Sequence, residues 1–401
     1  MKSSRSIAVI GVGSAGIVSL CHLLSTLPNS WKITSIHDPN INILGIGEST
    51  NPNFLNELQS GIDFNIVDDL EKLDGTFKFG TEYKKWRTNN WVNPLFGSGV
   101  AMHFNNFKLK ELAFLRFNSI YPDRFSTILG NVSKLESTLT EAIVEVNDQR
   151  LSFDYVIDCR GFPSEYSEYE LSNCSPVNSG LVYNVDAFNI KPYTEHIARP
   201  HGWVFGVPLT SRHSYGYLFN NNISTKEDVI DDMKSFIPDL KEENIIEYSF
   251  KSYFTKKILD GRVLKNGNRA LFYEPLSASS IYMYVEICRM FTQYLKFKEV
   301  NPFDNGTAIN NRFLELANDM EDMFAFLYHG GSTLDTPFWN LARERGLHRL
   351  ASSKKFHKTK TNLLEHSRIG GKYDGDGWFF APDSLYIIDK KMEYNYFHDH
   401  K

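Results

Sequence analysis

The apolar pattern of the chain opens with an unbroken run, Ile7 to Ile10, then a cluster of glycines, then a second apolar stretch from Ile17 to Leu24. A short continuous run is what a strand buried on both faces needs, and the second stretch has helical spacing. Trp31 to Ile36 alternates apolar and polar residues, so the start of the chain predicts a βαβ unit. A helix is expected over Asn53 to Ser60, started by Pro52 and capped by Ser49 or Thr50. Thr76 to Trp86 alternates again, with Phe77 and Phe79 on one face and Lys78 on the other. Val132 to Leu135 and Ala142 to Val146 read as strands of a meander, and Leu151 to Asp158 as a buried strand ending in Asp158-Cys-Arg-Gly161. His201 to Leu209, terminated by Pro208, and Ser214 to Phe219 predict a hairpin in a second, antiparallel sheet, with Arg212-His213 in its turn. Helical spacing follows over Thr225 to Phe236, with Ser224 or Thr225 as cap and Glu227 close behind. It recurs over Ile281 to Lys296 and Phe313 to Leu327, and in a helix opened by Asp335-Thr-Pro-Phe-Trp339.

Chemistry attaches to few of these elements. Gly11, Gly13 and Gly16 have the spacing G-x-G-x-x-G between a strand and a helix, with Ser14 and Ala15 inside the turn. In that setting the first glycine permits the tight turn, the second lets backbone approach a pyrophosphate, and the third lets helix and strand pack closely. The free N–H groups at the helix start favour phosphate. The fold wants an acid about 20 residues further on to hold ribose hydroxyls; Asp38 stands there, or else serves only the turn before Pro39. Glu48, Ser49 and Thr50, after the second strand, are expected at the cofactor edge of the sheet. Gly161 either approaches the cofactor or merely ends a strand. Ser277, Ser279 and Ser280 surround a helix start whose amides suit an anion or a flavin carbonyl, with plain serine capping as the alternative. A lone strand lysine is ordinarily solvated, and Lys78 gains interest only in combination.

Composition narrows the classes. At 401 residues the chain supports a large core and two joined modules. It is 42% hydrophobic, 14% aromatic and 23% charged, with 30 Phe and 20 Tyr, which suits either flat conjugated ligands or a large core. A net charge of −5 without a basic block argues against nucleic acid as main partner. Four scattered cysteines without C-x-x-C spacing argue against a zinc ribbon or a disulfide scaffold and fit a reducing compartment, and no apolar run reaches the ~20 residues of a membrane span. The expectation is a soluble, cytoplasmic protein with no metal; a homo-oligomer stays open.

Six motifs in order resemble the flavin-dependent halogenases of the tryptophan-halogenase type, over roughly Ile7 to Trp339. They are the glycines 11, 13 and 16; a G-[IV]-G-E-[AS]-T loop at Gly45 to Thr50; and a [TS]-[FY]-K-x-G segment at Thr76 to Gly80 leading to Trp86. They continue with W-x-W-x-I-P as Trp203 to Pro208, F-x-E-P-L-E-S-T-G as Phe272 to Ser280, and D-T-P-F-W as Asp335 to Trp339 after Tyr328-His329.

The resemblance implies an α/β fold. A Rossmann-like FAD-binding sheet is joined to a second, largely antiparallel sheet and a helical substrate module, as in two-module flavoprotein monooxygenases and halogenases. It places the FAD module at about 1–90, 130–165 and 260–300, and the substrate module at 91–129, 166–259 and 301–401. It implies FADH2 from a separate flavin reductase, O2, and a halide ion held by the amides of Ser279 and Ser280. Hypohalous acid would pass along a tunnel beside Trp203, Phe205, Pro208 and Ser277 to Lys78, which presents an electrophilic halogen to a small, electron-rich aromatic substrate. Pro275 and Leu276 would contact the flavin. The chain departs from the pattern at Ser277, where the family has an acid, at Ala278, at Phe205 in place of a second tryptophan, and at Asn268-Arg269 after Gly267. A less acidic pocket points to bromide or iodide beside chloride, a divergence toward marine or viral-type members. The alternatives are a flavin monooxygenase or oxidase on the same scaffold, and an FAD-binding protein without halogenation.

Overall fold

The computed structural model describes residues 5–354 apart from 42, 44, 46, 47, 87–89, 96–98 and 302, and of Ser277 only the backbone. It also describes the backbone of Trp378–Ala381 and Ser384–Asp389, a two-stranded antiparallel pair. The docking of Trp378-Phe-Phe expected of an aromatic tail therefore lies outside the described side chains.

The opening apolar run is the centre of a six-stranded sheet. Its order is Leu259–Asp260, Val263–Lys265, Tyr155–Asp158, Arg5–Ile10, Trp31–His37 and Phe125–Leu129. Every neighbour pair is parallel except the first. Phe125–Leu129 thus belongs to this sheet although it falls within the stretch 91–129. Both faces are covered, which is why Ile7 to Ile10 needs no polar residue. Ile7 and Val9 pack among the helices, whereas Ala8 and Ile10 pack against Val132, Val144 and Phe153 of the antiparallel meander. The helix after the glycines runs Ser14–Thr26, beside Pro52–Ile62 and Ser279–Val300.

A second sheet of seven strands holds the expected hairpin, Gly202–Pro208 with Arg212–Phe219. All its pairings are antiparallel except Tyr193–Arg199 with Gly80–Lys84. One face takes the helix Lys226–Lys234 against Leu181, Val204 and Tyr217, and the other joins the main core through Trp203, Phe205 and Val207. Thr307–Gly330 and Pro337–Ser352 pack closely at Gly346, where a Cβ would lie 2.5 Å from the Ala325 carbonyl oxygen.

Local details differ from the sequence pattern where a nearer partner wins. Asn51, not Ser49 or Thr50, caps Pro52–Ile62 by accepting from the Phe54 N–H, because both expected caps are engaged elsewhere. Arg212 and His213 open the second hairpin strand instead of forming the turn. The expected strand from Leu151 splits into Gln149–Phe153, in the meander, and Tyr155–Asp158, in the parallel sheet. Thr225 caps its helix in a reciprocal box with Asp228, the third helical residue, and not with Glu227.

Candidate active site

The glycine turn is defined by what would collide with it. Gly11 has φ +97°, and a Cβ there would lie 2.7 Å from the Cys159 carbonyl oxygen; at Gly16 a Cβ would lie 2.0 Å from the Gly11 carbonyl oxygen. Gly13 is different: no atom lies within 4 Å of its Cβ direction. It forms the cap of Ser14–Thr26 and offers no side-chain acceptor, so the first-turn amides have no side-chain cap and suit an anion such as a pyrophosphate. Gly161, at φ +25°, is equally open, and returns to this turn through Cys159, whose N–H donates to Ile10 O. Asp38 follows the strand Trp31–His37 as expected, and its carboxylate accepts from the Asn40 backbone N–H (2.8 Å) and side-chain amide (3.0 Å). The residues present thus fit a dinucleotide.

Lys78 lies inside the protein. The alternation of Thr76 to Trp86 holds, but its faces are inverted relative to the ordinary expectation for a strand lysine: Phe77 and Phe79 are 40% and 44% exposed, whereas Lys78 is 2% exposed. A three-stranded sheet explains the placement. Glu48–Ser49, Ala101–Phe104 and Thr76–Lys78 pair antiparallel so that Ser49, His103 and Thr76 stand in one row, with Lys78 two residues from Thr76 on the same face. Lys78 Nζ donates to Ser49 Oγ (2.8 Å) and to the Thr50 carbonyl (2.8 Å). No carboxylate pairs with it among the described residues, and burial pulls its pKa down from 10.5 to about 7.

The polar surroundings of Lys78 come from distant segments. Ser49 Oγ is 2.6 Å from Thr194 Oγ1, which is 2.9 Å from His103 Nε2. His103 Nδ1 is 2.9 Å from Thr76 Oγ1, which donates to the Pro208 carbonyl (2.7 Å). Thr50 is buried, its hydroxyl donating to Met102 O. His196 has no hydrogen-bond partner among the described residues, and burial together with nearby Lys78 lowers its pKa to about 3. It meets Tyr83 and Trp203 edge-on at 5.0 and 4.9 Å. Glu195, on the opposite face of that strand, pairs with Lys84 and is held at about 2 despite its burial. Glu48 begins the same small sheet, and burial lifts its carboxyl to about 7.

Aromatic residues from separate motifs converge next to this chamber. Trp86 meets Trp203 at 6.0 Å, Tyr328 at 6.2 Å and Trp339 at 5.2 Å between ring centroids. Trp203 Nε1 donates to the Tyr328 hydroxyl (2.9 Å), which faces Glu274, a carboxyl raised by its burial. Phe205 is buried against Gly216, where a Cβ would lie 2.1 Å from the Phe205 ring. The helix Ser279–Val300 starts at Ser279 and Ser280 after Ala278, which adopts a left-handed φ of +53°. It has no side-chain cap, and the Ser279 hydroxyl donates to Leu276 O (2.9 Å). Leu276 is buried and Pro275 exposed. No hydrogen bond or ion pair links Lys78 to Ser279 or Ser280, and the side chain of Ser277 lies outside the described residues.

The sequence profile described as Tryptophan halogenase matches residues 6–128 and 99–366. The chain belongs to this family. It is similar to the tryptophan 7-halogenase RebH of Lentzea aerocolonigenes, at 20% identity over 84% of this chain and 78% of that protein. Its fold is similar to that of Xcc4156, a flavin-dependent halogenase from Xanthomonas campestris, with a TM-score of 0.76 at 15% identity over 97% of this chain and 90% of that one. A tryptophan halogenase from Shewanella frigidimarina gives the same TM-score at 16% identity, over 90% and 83%. Membership makes the protein a flavin-dependent enzyme of the halogenase type, with the mixed α/β fold that its motifs implied.

His103, Thr194 and His196 were not singled out by sequence reasoning, and Thr76 entered only as part of the Thr76 to Gly80 motif. Each is one polar residue in a strand, and only strand pairing reveals that Thr194, His103 and Thr76 link in turn to Ser49, a partner of the Lys78 amine. No described helix is long and apolar enough to cross a membrane.

Proposed function

We propose that this protein is an FADH2-dependent halogenase that uses O2 and a halide, with bromide or iodide favoured and chloride accepted, to halogenate an electron-rich aromatic substrate through Lys78. The observation that carries the reading is the burial of Lys78 without a carboxylate partner among the described residues, next to the segment Glu48 to Thr50 and a Trp-lined interior. An amine with its pKa near 7 has a substantial neutral fraction at physiological pH and can carry an electrophilic halogen on its lone pair.

Reduced FAD, when bound, supplies with O2 the oxidising power that turns halide into hypohalous acid. Gly11, Gly13, Ser14, Ala15 and Gly16 would hold its pyrophosphate, Asp38 its ribose, and Glu48, Ser49, Thr50, Gly161, Pro275 and Leu276 the remainder. The uncapped amides of Ser279 and Ser280 would hold the halide, since helix-start N–H groups bind anions with little demand on side chains. Trp203, Phe205, Pro208 and Ser277 would line the route of hypohalous acid, and the burial of Trp203 and Phe205 would help to keep water from consuming it. A separate flavin reductase in the cytoplasm would deliver the FADH2.

The test incubates the protein with FAD, a flavin reductase, NADH, O2 and each halide against a panel of indoles and phenols. Halogenated product is expected, falling by ~10²–10⁴-fold in Lys78→Ala, the range for loss of one positioned catalytic group. Hydroxylated product formed without halide would instead make the protein a monooxygenase.

A further inference from the structure

The hydrogen bonds around Lys78 have a direction that can be worked out from their far end. A backbone carbonyl only accepts, so the Thr76 hydroxyl proton is committed to Pro208 O. Thr76 must then accept from His103, which places a proton on Nδ1. His103 is fully buried with no carboxylate paired to it among the described residues, and burial together with nearby Lys78 and His213 holds its pKa well below the ordinary value. A neutral imidazole protonated on Nδ1 leaves Nε2 as an acceptor. The Thr194 hydroxyl therefore donates to His103, and the Ser49 hydroxyl donates to Thr194. Each hydroxyl has one proton, so Ser49 has none left for Lys78 and can only accept from it.

From this geometry we infer that Thr76, His103, Thr194 and Ser49 form a one-way hydrogen-bond chain that fixes Ser49 as an acceptor and leaves the lone pair of neutral Lys78 uncovered. The amine in that state has two N–H bonds. Ser49 Oγ takes one and Thr50 O takes the other, so the lone pair occupies the remaining position. If the chain ran the other way, the Ser49 hydroxyl would donate into that lone pair and block it as a nucleophile. His103, Thr194 and Thr76 are positioning residues in this scheme: they touch no reacting atom, and they act through Ser49. The register of the three-stranded sheet, which lines up Ser49, His103 and Thr76 in one row, is what builds the chain. Thr194 completes it from the strand Tyr193–Arg199.

The inference rests on Lys78 being the halogen-carrying amine, but its test does not need turnover. In the unaltered protein labelled with ¹⁵N-histidine, His103 is expected to show a protonated Nδ1 and a bare Nε2 at neutral pH. A proton on Nε2, in either the other neutral tautomer or the cation, overturns the chain. This measurement does not depend on the folding of any variant. In protein carrying ¹³Cε-lysine, with Lys78 assigned by its loss in Lys78→Met, Thr194→Val frees the Ser49 hydroxyl to turn and donate to the amine. In the neutral form the Ser49 hydroxyl, released from Thr194, donates to the amine lone pair, an acceptor the ammonium form lacks, instead of accepting from the amine, so the Lys78 pKa is expected to fall by about one unit, tenfold in the equilibrium. Thr194→Ser should keep the value of the unaltered protein. In a Ser49→Ala background the Thr194→Val shift should vanish, because no hydroxyl remains to turn. An unchanged Lys78 pKa in Thr194→Val, or a shift that persists without Ser49, overturns the inference. Loss of halogenation in Lys78→Ala tests the function separately, so the two failures are distinguishable.

Discussion

The glycine turn and the lysine chamber are built by opposite means. The turn works by omission: at Gly11 and Gly16 backbone atoms lie 2.7 and 2.0 Å from where a Cβ would be, whereas nothing lies within 4 Å at Gly13. Its parts lie close together in the chain, apart from the returning strand Tyr155–Asp158. The chamber works by burying polar groups, each of which costs about 1–3 kcal/mol if left unpaired. Its parts come from Ser49, Thr76, Lys78, His103, Thr194 and Pro208, joined by hydrogen bonds that span up to 145 residues of chain. Gly11 and Gly16 therefore tolerate no added atom, whereas the chamber tolerates changes of shape better than changes in hydrogen-bond count.

Substitutions within the turn should give the largest effects. Gly16→Val drives a methyl-bearing carbon into a backbone carbonyl that has no room to move, and is expected to cost more than about 4 kcal/mol or to prevent folding. A variant with native melting temperature would show that the turn is not packed as described. Gly13→Val separates folding from ligand binding. Its side chain enters open space, so chemical denaturation should show a loss of about 1 kcal/mol or less, the range for a poor helix cap, while retention of FAD on gel filtration disappears. Full retention of the flavin would displace the pyrophosphate from this turn.

The chamber should respond more to pH than to bulk. Lys78 has a pKa of about 7 in the fold against 10.5 for the ordinary side chain. Between those values the unfolded chain binds more protons than the folded one, so this residue makes stability rise with pH. Its burial cost is full below pH 7 and is relieved towards pH 10.5. Lys78→Met removes this dependence. The stability difference is expected to move in favour of the unaltered protein by roughly 1 kcal/mol per pH unit within that window, read by urea denaturation at several pH values. A difference that stays constant with pH would mean that Lys78 remains charged. Smallest is Trp203→Phe, which keeps an aromatic ring but removes the Nε1–H donated to Tyr328. A loss of about 1 kcal/mol is expected, and no loss would mean that the Trp203–Tyr328 bond is replaced without cost.

Much of the nucleotide sheet was legible because its determinants are local. The apolar run Ile7 to Ile10, the three glycines and the alternation of Trp31 to Ile36 each impose a conformation within a few residues. The hairpin at Trp203 and the helix after Ser280 were legible for the same reason. The cap of Pro52–Ile62 was misplaced because Ser49 and Thr50, good cap residues on paper, are drawn away by Lys78, Thr194 and Met102. Motif order singled out Lys78, but nothing near it in sequence indicates that it is buried while Phe77 and Phe79 are exposed.

The chain of residues thus determined by itself a βαβ start with a glycine turn and the order of motifs that marks the family. Steric exclusion and strand or helix periodicity act over a few neighbouring residues. Only the tertiary structure decided that Lys78 faces inward, that its amine meets no carboxylate among the described residues, and that His103 and Thr194 stand behind Ser49. Those facts depend on register between strands far apart in sequence, where a shift of one residue would turn every side chain to the opposite face.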